Sequence, residues 1–259
     1  PLDRQAEAAL RAAFEALENP SLAARLSATV GTPIEALTAR LPNSLQGGLQ
    51  GAVRKALVAA MDTALRTSPS AKPPGIASSW LHRGLAAATG AAGGAFGLAG
   101  TLVELPVSTT VLLRQIAAIA AEEGEDLSRP EIAAECLKIF ALGGRGSGDD
   151  AAESGYFALR IALAEALKGS IGKTILPGFI AAVAARFVGP VGLKLSAQAA
   201  PLIGAAAGAA INLAFLEHFR SVARGHFTLR RLERVHGAAT VRAAYEKLAA
   251  TRDVAFSKG

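Results

Sequence analysis

The chain has 259 residues, enough for one large domain or two ordinary ones, and enough to bury a sizeable core without disulfides or metal staples. Its apolar share is 51% but its aromatic share only 5%, so the apolar content is mostly Ala and Leu, and Ala is the best helix former. The formal charge of +6 suits an anionic membrane face or an acidic ligand; with few aromatics and no recognised binding motif, it argues against nucleic acid.

Residues 2–18 place Leu2, Ala6, Leu10, Phe14 and Leu17 on one helical face, and Pro20 ends that helix. Short helices are predicted at 21–29 and 33–41, then a longer one at 45–66 with Leu49, Val53, Leu57 and Met61 on one side. Residues 68–75 (SPSAKPPG) read as a linker. It divides an N-terminal helical segment, 1–67, that packs on the core from the core itself, 76–259. Beyond it lies the uncharged run Gly84–Val103, which ends near Glu104 because Pro106 restricts the residue before it. A helix follows at 107–122. Ser128 is placed to cap the next one, with Pro130 just inside and Glu131 in its first turn. Residues 143–150 (GGRGSGDD) form a loop, and helices follow at 151–168 and 173–187. Gly189-Pro190 is expected to break the pattern. A second uncharged run, Leu195–Leu216, leads into a basic helix at 217–235 and a final amphipathic helix at 238–250. No segment alternates with the period of a strand. The fold class expected is all-α, a multi-helix bundle with Gly/Ala-rich apolar hairpins at its centre.

Both uncharged runs are long enough to span a bilayer. In the first, only Leu85, Phe96, Leu98, Leu102 and Val103 are strongly apolar, and together they supply about −1.5 to −3 kcal/mol toward insertion. The second contains Gln198, Pro201 and Asn212. Small residues four apart (Gly90 and Gly94, Gly93 and Gly97, Gly204 and Gly208) let backbones approach closely in lipid or in a core. Three placements are therefore open: a buried hairpin, a segment that can meet lipid, and a constitutive span.

Catalytic motifs are sparse. Neither G-x-S-x-G nor H-E-x-x-H occurs. Ser170 and Lys173 match S-x-x-K without its usual companions. Gly172-Lys173-Thr174 looks like the end of a P-loop, but Leu167 stands where the first glycine is needed and no strand precedes it. His218, His226 and His236 are spaced by eight and ten residues and do not form a metal set by themselves. The single Cys136 excludes an intrachain disulfide framework and a Cys-rich zinc site. Glu104 and Arg114 are each the only charge in a long apolar stretch, so each is expected to be buried with a partner, either the other residue or a ligand's acidic group. Arg220, Arg224, Arg230, Arg231 and Arg234 alternate with Phe219, Val222, Phe227, Leu229, Leu232 and Val235. That pattern suits a helix on an anionic membrane, or a bundle helix with a solvated arginine face.

Several ordered segments are familiar: Gly93-Gly94-Ala-Phe-Gly97, Glu104-Leu-Pro106-Val-Ser108, Leu113-Arg114-Gln, Gly124-Glu125-Asp126, Cys136 through Gly144, Gly155-Tyr156-Phe157 with Arg160, Gly208 with Asn212, and His218 through Glu233. Together they resemble the EcsC family of bacterial proteins over roughly residues 45–250. The resemblance implies a bacterial helical protein; the family takes its name from a protein encoded beside an ABC transporter, and some members carry a peptidase or hydrolase label. The function expected is non-catalytic, membrane-associated binding of lipid or another hydrophobic acidic ligand. The alternatives are an accessory protein of a membrane transporter or secretion system, and a hydrolase pairing Ser108 or Ser170 with His218 or Lys173. Expected ligand contacts are Glu104, Arg114, Lys173, Asn212, His218, Arg220, Arg224 and His226, with no cofactor, metal or catalytic group. Expected partners are lipid or an anionic membrane surface and a membrane transporter. No signal peptide is visible, since Pro1 opens directly into a charged amphipathic stretch, so the expected location is the cytoplasm or the periphery of the inner membrane.

Overall fold

The computed structural model describes residues 2–18, 22–31, 43–66, 105–144, 155–167, 177–198 and 205–256. These form nine helices and no strand. They are α1 (Arg4–Glu18), α2 (Leu22–Val30), α3 (Asn43–Arg66), α4 (105–122), α5 (Pro130–Leu142), α6 (Tyr156–Leu167), α7 (Pro177–Gln198), α8 (Ala205–His236) and α9 (Ala238–Phe256). The Gly84–Val103 run, the linker 68–75, the helix expected at 33–41, and Glu104, Ser170 and Lys173 lie outside the described residues.

The bundle is organised around α8, which packs against α1, α2, α5, α7 and α9. The N-terminal helices belong to the same packing unit: α1 and α2 lie on α8, and α3 lies on α7. Asp3 caps α1 by accepting the Ala6 N–H at 2.8 Å, and the buried face of α1 is Ala6, Leu10, Ala13, Phe14 and Leu17. That face meets α8 at Gly225. A Cβ there would stand 2.8 Å from Leu17 Cγ and 3.0 Å from the Ala13 carbonyl oxygen, so only glycine permits this approach.

The structure corrects several expectations. Gly189-Pro190 does not break α7; Pro190 is buried within it. A proline inside a helix normally clashes with the Cβ of the preceding residue and leaves the carbonyl four residues back without its N–H. Here the preceding residue is Gly189, which has no Cβ. The carbonyl so exposed, that of Arg186, is covered by Gly144, whose missing Cβ would lie 2.4 Å from it. Of the run Leu195–Leu216, residues 195–198 belong to α7 and residues 205–216 to α8. The basic helix is not separate either: α8 continues unbroken for 32 residues, through Gly225. Ser128 does not cap α5. Its hydroxyl donates to Asp126 Oδ1 at 2.7 Å, and Arg129 is the N-cap residue, without a side-chain bond.

Among the described residues, one helix, Pro177–Gln198, is long and apolar enough to cross a membrane, and half of its most apolar stretch is buried inside the protein. The apolar side of the basic stretch is also internal, except for Val235 at its end, which is exposed. Phe219, Val222, Phe227, Leu229 and Leu232 are all buried, and Phe219 packs with Phe140, Phe187 and Phe215. This face of the helix is core rather than a membrane anchor.

Candidate functional site

Two polar clusters lie on α8, one in each half. The C-terminal cluster begins at His226, which is fully buried. Its Nδ1 is 2.8 Å from the Tyr156 hydroxyl on α6, and its Nε2 is 3.0 Å from Glu135 Oε2 on α5. A carboxylate can only accept, so Nε2 carries the proton, and the Tyr156 hydroxyl donates to the bare Nδ1. The neutral imidazole is thereby fully satisfied. Burial pushes the His226 pKa down; the Glu135 contact opposes this, while Arg160 and Arg230 reinforce it. Burial disfavours ionised Glu135, but the His226 hydrogen bond and the charges of Lys138 and Arg230 outweigh that and hold its carboxyl well below the usual range.

Around this chain runs a belt of ion pairs. Glu135 Oε1 receives Lys138 at 2.9 Å and lies 3.5 Å from Arg230. Arg230 reaches Glu125 through Nε at 2.7 Å and Nη2 at 3.3 Å, and Arg234 adds a second cation to the same carboxylate. Arg231 pairs with Glu123 at 2.7 Å, and Thr228 donates to the other oxygen of that carboxylate at 3.1 Å. Arg160 grips Glu233 with two bonds of 2.7 Å. The turn after α4 is thus fastened to the last turns of α8, and α6 is fastened beside it.

Tyr156, His226 and Glu135 follow the hydroxyl–imidazole–carboxylate order of a nucleophile relay. Tyr156 is 1% exposed and His226 0%, and burial pushes the phenol pKa up. The chain therefore lacks both access and an easily formed oxyanion, and its work is to hold α5, α6 and α8 together.

The N-terminal cluster surrounds a cavity of about 20 Å³ between α4, α7 and α8. Ser108, Lys194 and Asn212 supply its polar wall, and Val111, Leu112, Phe215 and Leu216 its apolar wall. Lys194 is 1% exposed, with its ammonium 5.4 Å from the Phe215 ring centre. Ser108 donates its hydroxyl back to the Leu105 carbonyl at 3.2 Å. Elsewhere on α4 and α7, Thr109 Oγ1 and both polar atoms of the Gln198 side chain are buried without a hydrogen-bond partner among the described residues. The space fits one or two water-sized groups.

The structure disperses the expected ligand contacts. Asn212 is at the cavity and His226 is in the buried chain. His218 is buried, and its Nε2 donates to the Gly143 carbonyl at 2.8 Å. Arg220 is buried and pairs with Glu217 at 2.9 Å. Arg224 is exposed. Arg114 is exposed too, which corrects the expectation of a buried charge needing a partner: α4 turns that position to water. Sequence reasoning missed Lys194, Glu135, Glu123 and Glu125 as members of these clusters. The acidic run Glu122-Glu123-Gly124-Glu125-Asp126 was a usable signal, because it complements the arginines of 230–234.

The family model described as the EcsC protein family matches residues 77–232. The chain belongs to the EcsC family. The matched region contains Glu123, Glu125, Glu135, Tyr156, Arg160, His226, Arg230 and Arg231, and both walls of the cavity. Several of the segments that resemble the EcsC family in sequence meet in space: Glu125, Tyr156, Arg160 and His226–Arg231 lie in or beside the ionic belt. No curated protein and no solved structure gives a significant match.

Proposed function

We propose that this EcsC family protein is a non-catalytic helical protein that binds an amphiphile with an acidic head, a lipid or comparable hydrophobic acid, at the periphery of a membrane. The observation that carries this reading is the cavity between α4, α7 and α8, where a buried lysine, an amide and a hydroxyl face four apolar side chains. A positive charge beside an amide and a hydroxyl gives this otherwise apolar cavity the polarity that suits an acidic head group. The length and apolarity of α7 support a membrane setting. The test is protein purified without detergent, analysed by native mass spectrometry and solvent extraction. An acyl-bearing ligand that is lost in Lys194→Met is expected. Ligand-free protein that also takes up no added fatty acid or lysolipid would overturn the reading.

A hydrolase is the second reading, because Ser108 and Lys194 line the same cavity. Against it, the Ser108 hydroxyl is engaged with its own helix at Leu105. Covalent labelling by a fluorophosphonate, abolished in Ser108→Ala, would favour it; unlabelled protein would dismiss that serine. An accessory role at a transporter has less support. Among the described residues, the exposed large apolar side chains, Val58, Val107, Ile161 and Val235, are spread over four helices.

A further inference from the structure

Helix α6 is lightly held, with one deep anchor. It buries three of its twelve residues, Tyr156, Leu159 and Leu163, whereas α5 beside it buries nine of thirteen. Its outer side is open: Ala158 and Ala162 are exposed, and Ile161 is 49% exposed. Helices with few buried contacts are the first to open locally. Two polar links tie α6 to α8, the Tyr156 hydroxyl on His226 Nδ1 at 2.8 Å and the Arg160 fork on Glu233 at 2.7 Å. The first requires a bare Nδ1, because Nε2 already donates to Glu135. A proton on Nδ1 sets two donors face to face. The hydroxyl can turn to accept only by taking its own proton away from the acceptor it now uses, inside a buried site. The carboxylates around the ring already hold cations. Glu135 on α5 holds Lys138, Glu233 on α8 holds Arg160 of α6, and Glu125 in the turn before α5 holds Arg230 and Arg234 of α8. Burial pushes the Cys136 thiol on α5 up, so it adds no charge. Helix α9 sets the uncharged Tyr245 against the Tyr156 ring, and α1 meets the neighbouring Gly225 with Leu17 and Ala13. Burial disfavours the imidazolium most, Arg160 and Arg230 add to that, and Glu135 opposes it.

We infer that α6 is an acid-released latch: a proton on His226 Nδ1 displaces the Tyr156 hydroxyl, and α6 leaves α5 and α8 while the rest of the bundle stays folded. Opening brings water to the imidazolium and uncovers the apolar surface beneath Leu159 and Leu163. The open form takes up the proton first, so opening grows as pH falls from the ordinary histidine value of 6.5 and reverses on return to neutral pH. Burial would raise Glu125 and Glu135, but Arg230 on the one and His226 on the other hold both carboxyls below their usual range. Both therefore stay ionised above about pH 5, and the histidine step stands apart from theirs. The latch does not depend on what the cavity at Lys194 binds.

Hydrogen exchange of the full chain, read by mass spectrometry and converted to protection factors at each pH, tests this. Between about pH 7.5 and pH 5, peptides from α6 are expected to lose at least about tenfold in protection, while those from α5 change by less than about twofold. The amide of His226→Gln can accept from Tyr156 and donate to Glu135 but does not titrate, so α6 should stay protected at both ends of the range. In Tyr156→Phe, α6 should be weakly protected already at neutral pH. Protection of α6 that holds in acid, or α5 and α6 losing protection together, would overturn the latch. An acid loss of the same size in His226→Gln would overturn the role of His226. Wild-type protection of α6 in Tyr156→Phe would overturn the role of the hydroxyl. If either variant does not fold, the contrast between α6 and α5 in the wild-type chain still decides whether α6 opens on its own.

Discussion

The Tyr156 hydroxyl and His226 Nδ1 meet at 2.8 Å across seventy residues of sequence, inside a region that water does not reach. Tyr156→Phe removes the donor and strands the imidazole nitrogen, so it should cost about 1–3 kcal/mol of unfolding free energy. His226→Leu strands both Tyr156 and one oxygen of Glu135 and should cost more. The double variant Tyr156→Phe/His226→Leu should cost less than the sum of the two, as for groups in one network. Urea midpoints at constant slope would show this, and simple additivity would mean that the hydrogen bond contributes nothing specific.

Acid should weaken the fold in two steps. The folded pKa of His226 lies below its ordinary 6.5, so the unfolded chain takes up that proton first. Its contribution is complete above pH 6.5 and is lost as pH falls from there toward the folded value. Glu135 is also depressed, from 4.5, so its contribution is complete above that pH and drains away as pH falls through the carboxylate range. Unfolding midpoints measured from pH 8 to 2 should show both limbs in the wild type. In His226→Gln the limb starting near pH 6.5 should vanish, and its persistence would assign that limb to another group.

Glycines at two positions should respond oppositely to alanine. At Gly225 the added methyl meets Leu17 and the Ala13 carbonyl, so overpacking of about 1–3 kcal/mol should outweigh the roughly 1 kcal/mol gained in helix propensity. At Gly51, in α3, nothing lies within 4 Å, so alanine should stabilise by about 0.5–1 kcal/mol. Thermal melts of both variants, compared at one pH, check the pair.

Burial should separate two ion pairs of similar geometry. Glu125 is 6% exposed and holds Arg230 and Arg234, whereas Arg242 and Glu246 are 52% and 59% exposed. Glu125→Gln should cost about 2 kcal/mol and Glu246→Gln less than about 0.5 kcal/mol. Adding salt should erase the smaller effect sooner, because exposed pairs are screened.

The parts of the fold written in local periodicity were legible. The five-residue apolar stripe of α1, the long α3 and the final α9 all follow from the spacing of Leu, Val and Ala. Pro190 was misread because the rule that proline breaks a helix assumes a neighbour with a Cβ and a carbonyl left to solvent. Gly189 removes the first problem, and Gly144, which is distant in sequence, removes the second. The partners of His226 were invisible for a similar reason. Tyr156 and Glu135 lie 70 and 91 residues away, and no periodicity records which helix lies opposite. Lys194 was overlooked because one lysine in an apolar stretch looks like a solvated charge until the turn of α7 points it inward. Arg114 is the reverse case, a lone charge in an apolar run that the helix delivers to water.

The unbroken course of α8 makes it a lever as well as a core helix. Asn212 at the cavity and Arg230 in the ionic belt sit on one rod, about 27 Å apart along its axis. Between them Gly225 rests against the backbone of α1, without the cushion of a side chain. For a tilt of α8 about that contact, the cavity would lie on the longer arm. A rigid-body tilt of α8 that opens the cavity would swing the arginines the opposite way and load their bonds to Glu123 and Glu125. Filling one end of the rod would thus be felt at the other, with no ligand needed there.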